Sequence, residues 1–264
     1  MYSKILRLSA LAASHPREAY ERARQGWERH RNPKRTPDTG GWPISTLEQV
    51  IEVLLTHAPA PIAPDSLSDE ISLVREVLNR RVATLPSDAP FSRDNNADYA
   101  LAVVCYAACR LFAPRYVVET GVAYGVTTTA ILLALADNAG GELHSIDLPP
   151  LVRGADGPIG YLVPQNIRDQ WTLHRGASRQ VLPALLERLG PVQVFCHDGL
   201  HTFENMKFEF YSVLRRRSGP LVVIADDIHN NLAFLETMQE TKPLHWAAVR
   251  QPTKQSLYGF ALYA

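Results

Sequence analysis

Glu119-Thr-Gly-Val-Ala-Tyr-Gly125 is the stretch whose reading decides how this chain folds. Arg115-Tyr-Val-Val118 precedes it as a short, β-rich apolar run, and residues 126–136 follow with apolar side chains at helical spacing. The pattern predicts a strand, a glycine turn and a helix. Gly121 and Gly125 let the backbone bend sharply and lie close to a ligand, and Glu119 stands where the strand ends. Working outward, strands are expected near 115–119, 142–147, 171–175, 192–197 and 220–226. Helices are expected near 125–138, 178–189, 201–216 and 231–240. Such alternation builds a parallel sheet with helices on both faces. Two strand-like runs, 244–250 and 256–263, then follow one another without a helix, which predicts a hairpin and an antiparallel edge. The expected fold class is therefore α/β, a seven-stranded, mostly parallel sheet with an antiparallel C-terminal hairpin.

Residues 1–96 read as a helical N-terminal extension or cap, and 97–264 as the ligand-binding domain. The first helix spans 2–31, with Leu6, Leu8, Leu11 and Tyr20 on its apolar side. A Pro/Gly/Thr-rich linker covers 32–43, and Ser45-Thr-Leu-Glu48 is a capping-box pattern that starts a helix running to about 57. Further helices are expected over 66–84 and 97–112. Residues 149–170, rich in Gly and Pro, form an inserted loop after the second strand, a candidate lid or substrate wall.

The chain has 264 residues, is 46% hydrophobic and 20% charged, and has no formal net charge, so its totals give no support for nucleic-acid binding. Residues 1–36 nevertheless carry nine Lys or Arg against three acids. A solvated helix is the plainer reading of that segment, and a weak contact with an anionic membrane surface is the alternative. Three cysteines suggest no disulfide framework and a reducing, cytoplasmic setting. Cys105 and Cys109, four apart on an expected helix, read as small buried thiols rather than soft-metal ligands. No apolar run reaches the length of a membrane span.

Four strand ends carry acids: Glu119, Asp147, Asp198 and the pair Asp226-Asp227. Neighbouring strands bring these ends to one rim, where carboxylates repel, share a proton or share a cation. One such acid is often only a helix cap; four together point to a site. A nicotinamide turn needs glycines at 121, 123 and 126, but Ala123 and Val126 stand there, and no Gly-Lys-Ser/Thr phosphate loop follows. An acid, glycines two and six residues on, and an acid closing the next strand suit a ligand with an amino-acid end and a ribose but no phosphate. Its cation would sit by the turn and its ribose diol on Asp147.

At this point the sequence resembles the class I S-adenosylmethionine-dependent methyltransferases, with their Rossmann-like fold. The resemblance is to a bacterial group acting on small molecules and sugars. It rests on Asp147-Leu-Pro-Pro150, Asp198-Gly-Leu-His-Thr-Phe203, Trp171-Thr-Leu-His-Arg-Gly-Ala-Ser178 and Val223-Ile-Ala-Asp-Asp227, and covers about 99–264. It implies that Glu119, Gly121, Ala123 and Gly125 hold the methionine end of S-adenosyl-L-methionine. Asp147 would take the ribose hydroxyls, Gly176, Ala177 and Ser178 would lie along the adenine, and Asp198 would border the cofactor. In the metal-dependent O-methyltransferase branch, Asp198, Asp226 and Asp227 correspond to the ligands of Mg2+ or another divalent cation. His201, three residues after Asp198, is the candidate base; His229 is a second candidate, and His197 is expected to be structural. The implied function is transfer of a methyl group to a hydroxyl of a small molecule or saccharide, with a homodimer possible. A metal-independent N- or C-methyltransferase and a cofactor-binding scaffold without transfer activity are the alternatives.

Overall fold

The computed structural model describes residues 11–32, 41–59, 62–87, 90, 92, 96–151, 154–254 and 256–264. Leu6 and Leu8 of the expected first helix, most of the 32–43 linker, and Arg153 of the inserted loop lie outside them. The elements begin with α1 (Pro16–Arg31), β1 (Ile44–Ser45), α2 (Leu47–His57), α3 (Pro64–Val82) and α4 (Tyr99–Phe112). Then follow β2 (Tyr116–Thr120), α5 (Val126–Asp137), β3 (Glu142–Asp147), β4 (Trp171–Arg175), α6 (Ser178–Leu189) and β5 (Val194–His197). The chain ends with α7 (Phe203–Leu214), β6 (Leu221–Ala225), α8 (Ala233–Thr241), β7 (His245–Arg250) and β8 (Leu257–Tyr263).

One sheet has the order β1-β7-β8-β6-β5-β2-β3-β4. Only β8 runs antiparallel to its neighbours. The described sheet thus has eight strands rather than the expected seven. The extra one is β1, whose two residues pair with Ala248 and Val249. Two residues are too few to show a period, so no sequence pattern marks them. Their pairing also shifts the helix cap by one residue. Ser45 is spent in the sheet, and Thr46 caps α2, its Oγ1 accepting from the Gln49 N–H at 3.3 Å while Gln49 Oε1 accepts from the Thr46 N–H at 2.9 Å. The hairpin does not form an edge either: β8 inserts between β7 and β6, and β1 covers β7.

The period of two along each strand divides the core into two layers. Val117, Val194 and Val222 face α2, α3, α4 and α5, whereas Val118, Phe195 and Val223 face α6, α7 and α8. Twelve of the fourteen residues of α4 are buried, because α2, α3 and α5 all pack on it. This is why its sequence is apolar on every side. Cys105, Cys109 and Cys196 are free and buried. Among the described residues no helix is long and apolar enough to cross a membrane.

Candidate active site

The winding of the sheet reverses between β2 and β5, and open α/β sheets take ligands at the carboxyl ends of strands at such a point. A cleft of about 700 Å3 opens there. Gly121 explains how its walls come together. At φ +84° a side chain would already be strained, and a Cβ would stand 2.0 Å from the carbonyl oxygen of Asp198. The turn after β2 can therefore touch the end of β5 only through a residue with no side chain. Ala123 adopts the same left-handed region, at φ 47°, despite its Cβ. The Oδ2 of Asp147 holds it there, accepting from the N–H groups of Val122 at 2.9 Å and Ala123 at 3.0 Å. Burial raises the Asp147 carboxyl, and these two hydrogen bonds pull it back. Its other oxygen accepts no hydrogen bond among the described residues, and the side chain lines the cleft.

Glu119 occupies a different position from the one its place in the motif suggests. It is fully buried and does not line the cleft. Its carboxylate accepts from Thr127 Oγ1 at 2.6 Å, Thr128 Oγ1 at 2.8 Å and Ser145 Oγ at 2.6 Å, tying β2, α5 and β3 together under the turn. Burial lifts its pKa to about 7 against those three donors. Gly125, at φ +90°, caps α5 and lets Gly160 come within 3.0 Å of where a Cβ would be. The inserted loop is thereby fixed to the turn: the Gly160 N–H donates to the Ala123 carbonyl at 3.0 Å and the Leu162 N–H to that of Tyr124 at 2.9 Å. Pro149, Pro150 and Ile159 of this loop line the cleft. Tyr161 does not; its hydroxyl reaches Thr84 O. Trp171 does not either, since its Nε1 donates to Ser145 Oγ. Gly176, Ala177 and Ser178, after β4, form a further stretch of wall.

Asp198, His201, Asp226 and Asp227 line the cleft on the β5 and β6 side of the turn. Burial, then the adjacent Asp226 charge, pushes the Asp198 carboxyl well above the usual carboxylate range, with Lys254 opposing. Asp226 also accepts from Gln251 Nε2 and lies 4.0 Å from Lys254 Nζ. His201 Nε2 is 3.8 Å from Asp198 Oδ1. Burial, followed by the neighbouring His197, lowers the His201 pKa and favours its neutral, proton-accepting form. Beneath it lies a polar network that the sequence did not announce. His197 Nδ1 is 2.6 Å from Glu209 Oε2, which also accepts from Thr120 Oγ1 at 2.8 Å, while Asn205 Nδ2 donates to Glu209 Oε1 at 2.7 Å. Burial alone would raise Glu209, but His197, then Ser178 and Thr120, bring it below its ordinary value. The His197 ring stands edge-on to that of His201, centroids 5.1 Å apart. His229 lies outside the cleft wall, accepting from the Leu257 N–H at 3.3 Å.

Among the described residues no three His, Cys, Asp or Glu side chains gather as a metal cage. Asp198, Asp226 and Asp227 share a wall but are not drawn together as the expected three-ligand set. The facing carboxyls of Asp198 and Asp226 do fit a hard cation, because magnesium is commonly held by one or two carboxylates together with waters and substrate oxygens.

The remaining wall comes from α1, which the sequence did not connect with the site. Arg22, Gln25, Gly26 and Arg29 line the cleft. Two moorings fix the helix. Glu18 Oε2 lies 2.7 Å from Arg175 Nη1, and Glu28 Oε2 accepts from Thr202 Oγ1 at 2.9 Å. The signal available was the basic excess of residues 1–36, which gave a charge but no location.

A doubly wound sheet with a glycine turn at its switch point, an acid on the next strand and an antiparallel last strand defines a Rossmann-like methyltransferase fold. Residues 118–228 match a family described as a methyltransferase domain. Over that segment the chain is similar to methyltransferase domains, and its fold is that of the Rossmann-like methyltransferases. No curated protein matches it in sequence. Among solved structures, an O-methyltransferase from Bacillus cereus in complex with SAH is 15% identical, with a TM-score of 0.54, over 83% of this chain and 100% of that one. The SAH-bound Podospora anserina methyltransferase PaMTH1 is 11% identical, with a TM-score of 0.50, over 82% and 95% of the two chains. The O-methyltransferase TomG from Streptomyces achromogenes, involved in tomaymycin synthesis and in complex with SAM, is 16% identical, with a TM-score of 0.50, over 85% and 97%. At these identities the likeness is one of fold.

Proposed function

We propose that the protein transfers a methyl group from S-adenosylmethionine to a hydroxyl of a small molecule or saccharide, assisted by a divalent cation. The observation that carries this reading is one cleft with two unlike walls: the glycine turn and Asp147 on one side, Asp198, His201 and Asp226 on the other. When bound, the cofactor supplies an electrophilic methyl on a sulfonium, and a cation at Asp198 and Asp226 supplies positive charge beside the acceptor oxygen. The chain does the rest. Backbone at Gly121–Ala123 seats the methionine end, the unused oxygen of Asp147 accepts from the ribose diol, and Gly176–Ser178 borders the base. His201, neutral through burial, takes the acceptor's hydroxyl proton. With the cofactor seated, that oxygen would be placed to receive the methyl carbon that the cofactor's sulfur gives up. Alignment of those three atoms and exclusion of water by α1 and the inserted loop contribute most of the rate. That solved structures of the same fold are O-methyltransferases holding SAM or SAH supports the cofactor and the reaction class.

A metal-independent variant has one observation in its favour: the ammonium of Lys254 stands 4.0 Å from Asp226 and can itself balance the acid pair. The test is methyl transfer from labelled S-adenosylmethionine to a panel of hydroxylated small molecules and sugars, with and without EDTA and added magnesium. Activity that EDTA abolishes and magnesium restores is expected, together with a loss of about 10²-fold or more in kcat for His201→Asn with S-adenosylhomocysteine affinity kept. EDTA-resistant transfer would assign the charge to Lys254. Absence of S-adenosylhomocysteine binding by titration calorimetry would overturn the function itself.

A further inference from the structure

We infer that Arg29, flanked by Arg22, forms an anion subsite above the acceptor end of the cleft, so that the methyl acceptor is a hydroxylated molecule bearing a carboxylate or a phosphate. The inference builds on the O-methyl transfer proposed above. Residues 22 and 29 are two helical turns apart and share one face of α1, and both side chains line the cleft. Their commitments differ. Glu18 takes Nε of Arg22 at 2.8 Å and Nη2 at 2.7 Å. Arg29 makes no hydrogen bond or ion pair among the described residues. Its neighbour Glu28 is consumed elsewhere, by Arg24 Nη1, by Thr202 Oγ1 at 2.9 Å and, more distantly, by Arg179 at 3.8 Å.

Arg29 stays accessible inside the open cleft, yet the enclosing walls and then the Arg22 charge lower its pKa. Two guanidiniums facing one cleft repel each other, and a planar, bidentate donor without a partner suits a carboxylate or phosphate that would relieve that repulsion. The moorings set the position. Glu28 binds Thr202, the residue after His201, so Arg29 lies at the end of the cleft where the proton is taken. Glu18 binds Arg175 at the end of β4, which puts Arg22 nearer the cofactor.

One other molecule could present the same chemistry: the cofactor, through its methionine carboxylate. Calorimetry on wild type, Arg29→Gln and Arg29→Lys separates the two sources. S-adenosylhomocysteine and 5′-methylthioadenosine, which lacks the amino-acid end, are titrated first. Protein saturated with S-adenosylhomocysteine is then titrated with 3,4-dihydroxybenzoate and with inorganic phosphate. The expected result is binding of at least one anion to the loaded wild type, weakened about tenfold or more by Arg29→Gln and partly kept by Arg29→Lys, with S-adenosylhomocysteine affinity unchanged. Loss of S-adenosylhomocysteine affinity with 5′-methylthioadenosine unaffected would give Arg29 to the cofactor and overturn the subsite. Failure of both anions to bind, or binding indifferent to Arg29, would overturn it as well. Because these readouts are binding and not turnover, they stand or fall apart from the transfer reaction.

Discussion

A carboxyl group sealed under a turn behaves differently from one facing solvent, and Glu119 shows the consequence. Its pKa is about 7 in the fold against an ordinary 4.5. The fold therefore prefers the protonated form, and unfolding releases a proton between those two values. The contribution is intact below about pH 4.5 and is lost as pH rises through about 7, the loss amounting to about 3 kcal/mol. Glu119→Gln keeps an acceptor and adds donors without the titration. Urea denaturation at pH 4.5 and 7.5 should show wild type losing stability relative to the variant across that interval; parallel stabilities would refute the assignment. The motif thus made Glu119 conspicuous, but its role as a brace for Thr127, Thr128 and Ser145 depends on β3 lying alongside, which no local pattern records. Asp147 was legible as an acid at the cleft, whereas its grip on the turn was not.

Helix α1 forms for local reasons. Pro16 opens it, Glu18 stands in the first turn, and Arg29, His30 and Arg31 in the last, each suited to the helix dipole. Its docking, by contrast, is almost wholly polar. Tyr20 and Trp27 face outward at 67% and 55% exposure, and the contacts to the end of β4 and the start of α7 are made by Glu18, Glu28 and Asn32. An element held this way opens at low cost. Glu28→Gln removes the charge shared by Arg24, Thr202 and Arg179 and should weaken the docking by about 1–3 kcal/mol. Hydrogen exchange of amides in 16–31 should then rise by roughly fivefold or more, while those of β2 and β5 stay as they were. Equal acceleration throughout the sheet would mean that α1 is part of the global fold and not a separately docked strap. Sequence spacing located the helix; only packing reveals that it roofs a cleft built about a hundred residues later.

Across the molecule, the cleft gathers the turns after five strands, so a ligand there ties together segments that otherwise touch mainly through the sheet. Ligand affinity should appear as global stability. S-adenosylhomocysteine at one hundred times its Kd adds about 2.7 kcal/mol, which for a chain of this size corresponds to a rise in Tm of roughly 5–10 °C. NAD should give none. Thermal denaturation with each ligand checks this, and a shift with NAD alone would place a different cofactor in the cleft.

What the sequence determined by itself is whatever depends on near neighbours: alternating strands and helices, glycines where φ is positive, and acids at strand ends. Period, turn chemistry and strand polarity are local, so they survive reading in one dimension. The tertiary structure alone decided the rest. β8 inserts beside β6 and β1 covers β7, because sheet order is set by which edges remain unpaired once the helices have packed. Glu119 turns inward while Asp147 faces the cleft, because Thr127, Thr128 and Ser145 close over the first and leave one oxygen of the second open. The three aspartates share a wall without forming a cage, and Arg29 meets the cleft at all, because side-chain convergence is a matter of long-range packing that spacing along the chain does not encode.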